Sequence, residues 1–243
     1  MLLRTTFGLT ASLVAMLSAT VVSAQSIAEI EAAAKAEGVP VHVDAAWTGS
    51  AMICPEFRAL WAGVEGADSI VFNPHKWLGA QFDCSVQFLR DPGAQVRTLG
   101  LRPTYLETAG REEIVNFNEW TVPLGRRFRA LKLWFVLRAY GLEGLRTRIR
   151  NHVAWAVEAR DQVAALPGVA IVTEPRLSLF TFALAEEAAT EALLHRINED
   201  GRLYLTQTRV DGRFAIRVQV GSFDCCREDV MLIATVVKEL LAK

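Results

Sequence analysis

The chain has 243 residues, of which 51% are hydrophobic, and its formal net charge is −1. This composition is typical of one or two globular domains and excludes an intrinsically disordered chain. The balanced charge gives no electrostatic basis for binding nucleic acid. The four cysteines form no CxxC pair and the four histidines are scattered, so the sequence predicts reduced thiols and no metal site.

Residues 1–26 admit two interpretations. They carry a basic residue, Arg4, near their start, continue through an apolar stretch and reach Val22-Ser23-Ala24, where a signal peptidase could cut. The alternative is an apolar strand followed by a loop of small residues. No later segment is long and apolar enough to span a bilayer, so we expect no membrane partner.

Residues 27–165 are predicted to form part of a large α/β domain. Apolar side chains at helical spacing predict a helix over 27–37, which Gly38 would end. Short buried strands are predicted at 39–47, 68–73 and 85–91. In an α/β sheet of this kind, ligands bind beyond the carboxyl ends of the strands.

The chain after residue 90 changes composition along its length. Residues 91–118 are polar and weakly periodic, which predicts a long mobile loop. Helical periodicity returns from residue 124 and again over 144–165. Residues 166–243 are predicted to form a small α+β domain, with strands at 169–174, 177–184, 203–210 and 214–221 and helices at 187–199 and 227–242.

Lys76 lies in FNPHKWLG, directly after an apolar strand. It could be a nucleophile that forms a Schiff base if desolvation lowers its pKa, or a surface lysine whose stem alone is buried. Asp44 ends the preceding strand, and adjacent strands would bring the two ends together. An amine for the aldehyde and a carboxylate for the protonated ring nitrogen are what pyridoxal phosphate (PLP) requires. Ala46 is small enough for a flat ring to approach, although Asp44 could equally be a strand-end cap.

The blocks VHVDAAWTGSAMICPEFR, GADSIVFNPHKWLGAQFDCS and WTVPLGRRFRALKLWFVLRAYGLEGL closely resemble the group II PLP-dependent decarboxylases, in particular the aromatic-L-amino-acid decarboxylases. The resemblance covers about residues 27–243. It implies an α/β fold of the fold-type-I PLP-dependent transferase class, a homodimer, and conversion of aromatic L-amino acids to amines and CO2. It also implies that Lys76 anchors PLP as a Schiff base and that Asp44 pairs with the ring nitrogen.

The resemblance assigns further site residues. It implies that Asn73 contacts the cofactor phosphate, that His75 is the family's histidine before the lysine, and that the loop 91–118 closes over the partner subunit's active site. Tyr105, on that loop, would protonate the carbanion left after CO2 departs. In this family a tyrosine here accompanies amine formation and a phenylalanine accompanies aldehyde formation. From the residues alone, Asn73 could be a turn residue, His75 a packed core histidine and Tyr105 a surface residue.

Other polar residues receive weaker assignments. The basic cluster at 125–129 could clamp a phosphate or begin a helix, and we favour a structural or interface role. Arg217 could bind a substrate carboxylate or pair with an acid inside the protein. Packing is expected for Trp77, and no catalytic role for His42, His152 and His195.

The sequence also departs from the family. Family subunits are about twice as long, and the histidine that stacks on the ring, a phosphate loop and part of the substrate pocket have no counterpart here. SATVVSAQS replaces the family's Gly-Thr-Thr turn. We therefore expect weak PLP binding by this chain alone, and keep two alternatives: a truncated, catalytically incompetent homologue that folds or dimerises, or an aldehyde-forming relative. GLTASLVAML (8–17) falls where the family has a buried strand, which favours a cytoplasmic location over export.

Overall fold

The computed structural model describes residues 26–101 and 114–242. Its helices are α1 (Ile27–Ala36), α2 (Pro92–Leu99), α3 (Ala130–Ala164), α4 (Glu187–Asp200) and α5 (Arg227–Leu241). Its strands are β1 (His42–Asp44), β2 (Ser69–Phe72), β3 (Val86–Leu89), β4 (Ala170–Arg176), β5 (Leu179–Ala183), β6 (Thr206–Val210) and β7 (Arg213–Gln219). Short 3-10 helices lie at Thr48–Ile53, Pro55–Trp61, Val64–Gly66 and Phe117–Glu119.

The first sheet contains β1, β2 and β3 in that order. β1 pairs with β2 in parallel, and β2 pairs with β3 in the antiparallel direction. The 3-10 helices between β1 and β2 pack on one side of this sheet. Their buried residues join those of α3 and of the turn after β2 in one hydrophobic cluster, whose members include Ala51, Trp61, Trp77, Leu145 and Ile149.

The second sheet is antiparallel, with strand order β4-β5-β7-β6. Helices α3 and α4 pack against this sheet, and α5 packs against both helices. The shared core contains fully buried aromatic and aliphatic side chains, including Phe180, Phe182, Leu193, Ile216 and Val236. Burying one such side chain contributes about 1.5–3 kcal/mol, so this cluster is the main source of stability in the second half of the chain.

Helix α3 connects the two cores. Its buried positions recur at intervals of three or four residues, so one face lies inward along its second part; they are Leu145, Ile149, His152, Ala156, Ala159 and Val163. Gly141 has φ +63° and ψ 171°, which interrupts the helix. Two helical segments are therefore present, as predicted, but the first begins at Ala130 rather than at residue 124. Pro123 and Gly125 precede it, and both disfavour a helix interior.

The predicted loop 91–118 is wrong in its first part, because α2 occupies Pro92–Leu99. The Asp91 carboxylate accepts a hydrogen bond from the Ala94 N–H at 3.2 Å, and proline stands at the first helical position, so the N-terminus is well capped. Residues 102–113, with Tyr105, and residues 1–25 lie outside the described residues. In the parts that are described, no helix is both long and apolar enough to cross a membrane.

Candidate functional site

The carboxyl ends of β1 and β2 lie at the same edge of the first sheet. Asp44 is paired with Val71, and the Ala45 N–H donates to the Val71 carbonyl at 2.9 Å. The contact continues beyond the strands, since the Asn73 N–H donates to the Ala46 carbonyl at 2.8 Å. The predicted adjacency of the two strands is confirmed. The segments that carry Asp44 and Lys76 therefore leave the sheet side by side.

The Asp44 side chain is exposed and only partly satisfied. Its Oδ1 accepts the Ala46 N–H at 2.9 Å, a bond that holds the carboxylate against the turn after β1. Within the described residues, its Oδ2 has no hydrogen-bond partner. Asp44 lines a cavity of about 350 Å³ together with Trp47, Trp61 and Leu177. The carboxylate is thus fixed at one oxygen and available at the other.

Lys76 follows in the turn after β2. Its backbone N–H donates to the Asn73 carbonyl at 2.9 Å, which closes the turn. Its side chain is exposed. The described part of the chain therefore leaves Lys76 open to solvent.

Asn73 and His75 flank this turn and are half-buried. The Asn73 Oδ1 is buried and, among the residues described here, has no hydrogen-bond partner. The His75 Nδ1 lies 2.8 Å from the Cys84 carbonyl oxygen and 3.0 Å from the Cys84 N, so either tautomer finds a partner. The His75 ring also meets the edge of Phe82, with centroids 4.8 Å apart. His75 is consequently held from the β3 side of the turn.

Trp77 packs, as predicted, and is 1% exposed. Its indole N–H donates to the Nδ1 of His152 at 2.9 Å, across 75 positions of sequence. Burial, with a smaller contribution from the Arg148 charge, lowers the pKa of His152 to about 4 from its ordinary 6.5. Only the apolar spacing that places position 152 on the inner face of α3 could have indicated this pair from the sequence.

The arginines of the basic cluster bind protein groups. The Arg129 Nε donates to the Asp83 Oδ2 at 2.9 Å, and Arg127 lies 3.5 Å from the other carboxylate oxygen. The Arg129 hydrogen bond lowers the pKa of Asp83 below its usual range. These contacts agree with the structural role favoured for this cluster. Arg217 donates to the Gln219 Oε1, so its partner among the described residues is an amide and not an acid, which was one of the two alternatives for this residue.

Neither the metal-ligating side chains nor the thiols of the described residues form a second site. Among the described residues, no group of three or more His, Cys, Asp or Glu could hold a metal ion. The four cysteines are free thiols. Burial raises the pKa of Cys54 and of Cys84, which makes both poor nucleophiles at neutral pH.

Comparison with known proteins gives consistent matches. A family model described as the pyridoxal-dependent decarboxylase conserved domain matches residues 4–185. The aromatic-L-amino-acid decarboxylase of Drosophila melanogaster is 42% identical over 191 residues, which are 78% of this chain and 38% of that protein. The structure of Oryza sativa TDC with PLP and tryptamine matches with a TM-score of 0.84 and 35% identity, over 89% of this chain and 47% of that one.

Another solved structure, the Rhodiola rosea 4-hydroxyphenylacetaldehyde synthase, matches with a TM-score of 0.79 and 33% identity over 89% of this chain and 46% of that one. The chain therefore spans less than half the length of each of these proteins. The structural matches, with the mixed helices and sheets described above, confirm the predicted α/β fold of the fold-type-I class.

Proposed function

Because the chain belongs to the pyridoxal-dependent decarboxylase family, we propose that it forms part of a PLP-dependent aromatic-L-amino-acid decarboxylase, which releases CO2 and leaves the corresponding amine. The observation that carries the proposal is the parallel pairing of β1 with β2, which starts the Asp44 and Lys76 segments at one sheet edge. The choice of aromatic substrates is supported by the Drosophila relative's name and by the tryptamine in the Oryza sativa structure.

The residues at this edge fit PLP in their chemistry. The free Oδ2 of Asp44 can accept a hydrogen bond from a protonated ring nitrogen, and the exposed Lys76 amine can reach an aldehyde. The Asn73 amide has a buried oxygen without a described partner, and rotation of the amide would present its NH2 group to a phosphate. Ala46 adds little bulk beside Asp44. Together these groups provide an amine, a carboxylate and an amide donor.

When bound, PLP supplies the electron sink that stabilises negative charge at the substrate α-carbon. Asp44 would keep the ring nitrogen protonated by placing a negative charge beside it. Lys76 would anchor the aldehyde through its Nζ, while the bond between His75 and the Cys84 backbone holds the residue before it in place. Tyr105 is proposed to deliver the proton to the α-carbon after CO2 has left.

The anchoring role is tested by trapping. The chain would be mixed with PLP, reduced with borohydride, digested and mapped by mass spectrometry. We expect the reduced adduct at Lys76, its loss in Lys76→Arg, and no change in Lys238→Arg, which alters an exposed lysine on α5. Because Lys76 and Asp44 are exposed, binding by this chain alone should be weak. Absence of an adduct at Lys76, even at saturating PLP, would contradict the proposal.

The reaction type is tested by product analysis with L-DOPA or L-tryptophan. We expect CO2 and amine from a competent protein. The similarity to an aldehyde synthase makes aldehyde formation a second candidate. That reaction would consume O2 and release ammonia and peroxide with the aldehyde and CO2, and these products in place of amine would establish it. The wild type is expected to favour amine because it has tyrosine at position 105, and Tyr105→Phe should shift the products toward aldehyde. A folded chain that yields neither adduct nor product would be the incompetent homologue.

Homodimer formation is also proposed. The first part of α3 exposes large apolar side chains, with Trp134 52% and Phe135 57% exposed. Contiguous apolar surface of this kind is typical of an interaction site. In the dimer, the segment after α2, which carries Tyr105, is proposed to reach the partner's site. Analytical ultracentrifugation should show a dimer that Trp134→Ser weakens, and a monomeric wild type would contradict the proposal.

A further inference from the structure

Lys76 is exposed, whereas the residue that follows it in the same turn, Trp77, is deeply buried. Trp77 is 1% exposed and stacks on Trp47, with ring centroids 4.7 Å apart and an interplanar angle of 22°. Its polar atom also has a partner, since the indole N–H donates to the Nδ1 of His152 at 2.9 Å. The Trp77 side chain is therefore fixed by both packing and a directed bond.

The indole N–H of Trp77 determines which nitrogen of His152 carries the proton. An indole N–H can only donate, so the His152 Nδ1 must be an unprotonated acceptor. The proton of the neutral ring is then on Nε2, which lies 3.5 Å from the sulfur of Cys225. A charged imidazolium would place an N–H against the indole N–H and lose the bond. The ring is 1% exposed, and burial favours the neutral form.

The two bonds of His152 connect distant parts of the chain. Trp77 belongs to the turn after β2, His152 to α3, and Cys225 to the segment before α5. On the other side of Lys76, His75 is bound to the Cys84 backbone. The residues before and after Lys76 are thus both anchored, and Lys76 alone points outward.

We propose that His152 is a positioning residue for Lys76: it accepts the Trp77 indole N–H, orders the turn after β2 and so holds the lysine at the sheet edge beside Asp44. The choice of Lys76 as the positioned group rests on the proposed function. The effect on the turn itself does not, because it follows from the contacts of Trp77 and His152.

Two substitutions at His152 separate the bond from the bulk of the ring. In His152→Asn the amide oxygen can occupy the position of Nδ1, so the acceptor for Trp77 is kept and the contact with Cys225 is lost. In His152→Gln the amide lies one bond further out, near Nε2, and the acceptor for Trp77 is lost. Both side chains are uncharged amides, so each variant is the control for the other.

The first readout needs no cofactor. Hydrogen exchange of the Trp77 indole N–H and of the Lys76 backbone N–H would be followed by NMR on the 15N-labelled full chain at pH 7. We expect His152→Asn to change both rates by less than about threefold and His152→Gln to raise both by about tenfold, as loss of one buried hydrogen bond implies. The second readout, borohydride-trapped attachment of PLP to Lys76, should be slowed in His152→Gln and not in His152→Asn.

The outcomes are distinguishable. If the wild type attaches no PLP, the proposed function fails, while the exchange rates still decide the role of His152. Equal exchange rates in the wild type and in a folded His152→Gln would overturn the inference. Should the His152 variants not fold, replacing Trp77 with 3-benzothienylalanine puts sulfur in place of the indole N–H, which removes the donor and keeps the fused ring. Unchanged Lys76 exchange in that variant would then overturn the inference, and faster exchange would support it.

Discussion

Protonation of His152 is expected to couple the stability of the fold to pH. Burial lowers the pKa of His152 to about 4, whereas in the unfolded chain it returns to about its ordinary value of 6.5. Between these values the unfolded chain binds a proton that the folded chain does not. Stability from this group is therefore fully present above pH 6.5 and is lost as the pH falls toward 4.

The magnitude follows from the two pKa values. At about 1.4 kcal/mol per pH unit, the full contribution is about 3 kcal/mol, of which roughly 2 kcal/mol is lost between pH 7 and pH 5. The assay is urea unfolding at both pH values, followed by far-UV circular dichroism, for the wild type and His152→Asn. Asparagine does not titrate, and the other ionisable groups are common to both proteins.

The difference in pH dependence between the wild type and His152→Asn measures the contribution of His152. The wild-type free energy of unfolding should fall by roughly 2 kcal/mol more than that of His152→Asn between pH 7 and pH 5. Equal losses in the two proteins would show that His152 titrates alike in the folded and unfolded states. That result would refute a buried neutral ring bonded to Trp77.

Three further changes test the packing. Gly79 has φ +72°, and a Cβ there would overlap the Phe223 ring, so Gly79→Ala should lower the free energy of unfolding in urea by about 3 kcal/mol. The control is Gly212→Ala, where φ is +79° and no atom lies within 4 Å of an added Cβ. It should cost only about 1 kcal/mol. Thr190→Val keeps the shape of a fully buried side chain but removes the acceptor of the Leu184 N–H, while the Glu186 carbonyl keeps its bond from the Thr190 backbone N–H. The loss should cost about 1–3 kcal/mol by the same method. Ellman's reagent should label the exposed Cys226 at once and the two buried thiols only after unfolding, as measured by mass spectrometry with and without urea.

Local signals in the sequence predicted much of the secondary structure. Ser26 and Glu29 form a capping box at the start of α1, and Gly38 follows its end with φ +66°. The kink at Gly141 separates the two helical segments of α3 that the periodicity indicated. In each case the deciding interaction involves residues within one or two helical turns, so a single sequence contains it.

Predictions that depended on distant partners were less complete. The predicted adjacency of the strands placed Asp44 and Lys76 at one edge of the sheet. Exposure of the Lys76 side chain, however, depends on which other segments cover the turn, and the FNPHKWLG stretch does not show which segments those are. The bond between Trp77 and His152 joins residues 75 positions apart. Periodicity predicts that such residues are buried but does not identify the atom that each one meets.

The contacts of the turn after β2 show how the second half of the chain contributes to a site that lies in the first. Cys225 contacts the ring that holds Trp77, and Phe223 fills the space that a side chain at Gly79 would need. Both belong to the segment before α5, and neither lies at the sheet edge. Because packed contacts of this kind are lost together, loosening of that segment would release Trp77 and Gly79 at once and leave Lys76 on a mobile turn. The order of the lysine therefore depends on the packing of this turn against α3 and the segment before α5, which the residues around Lys76 do not determine by themselves.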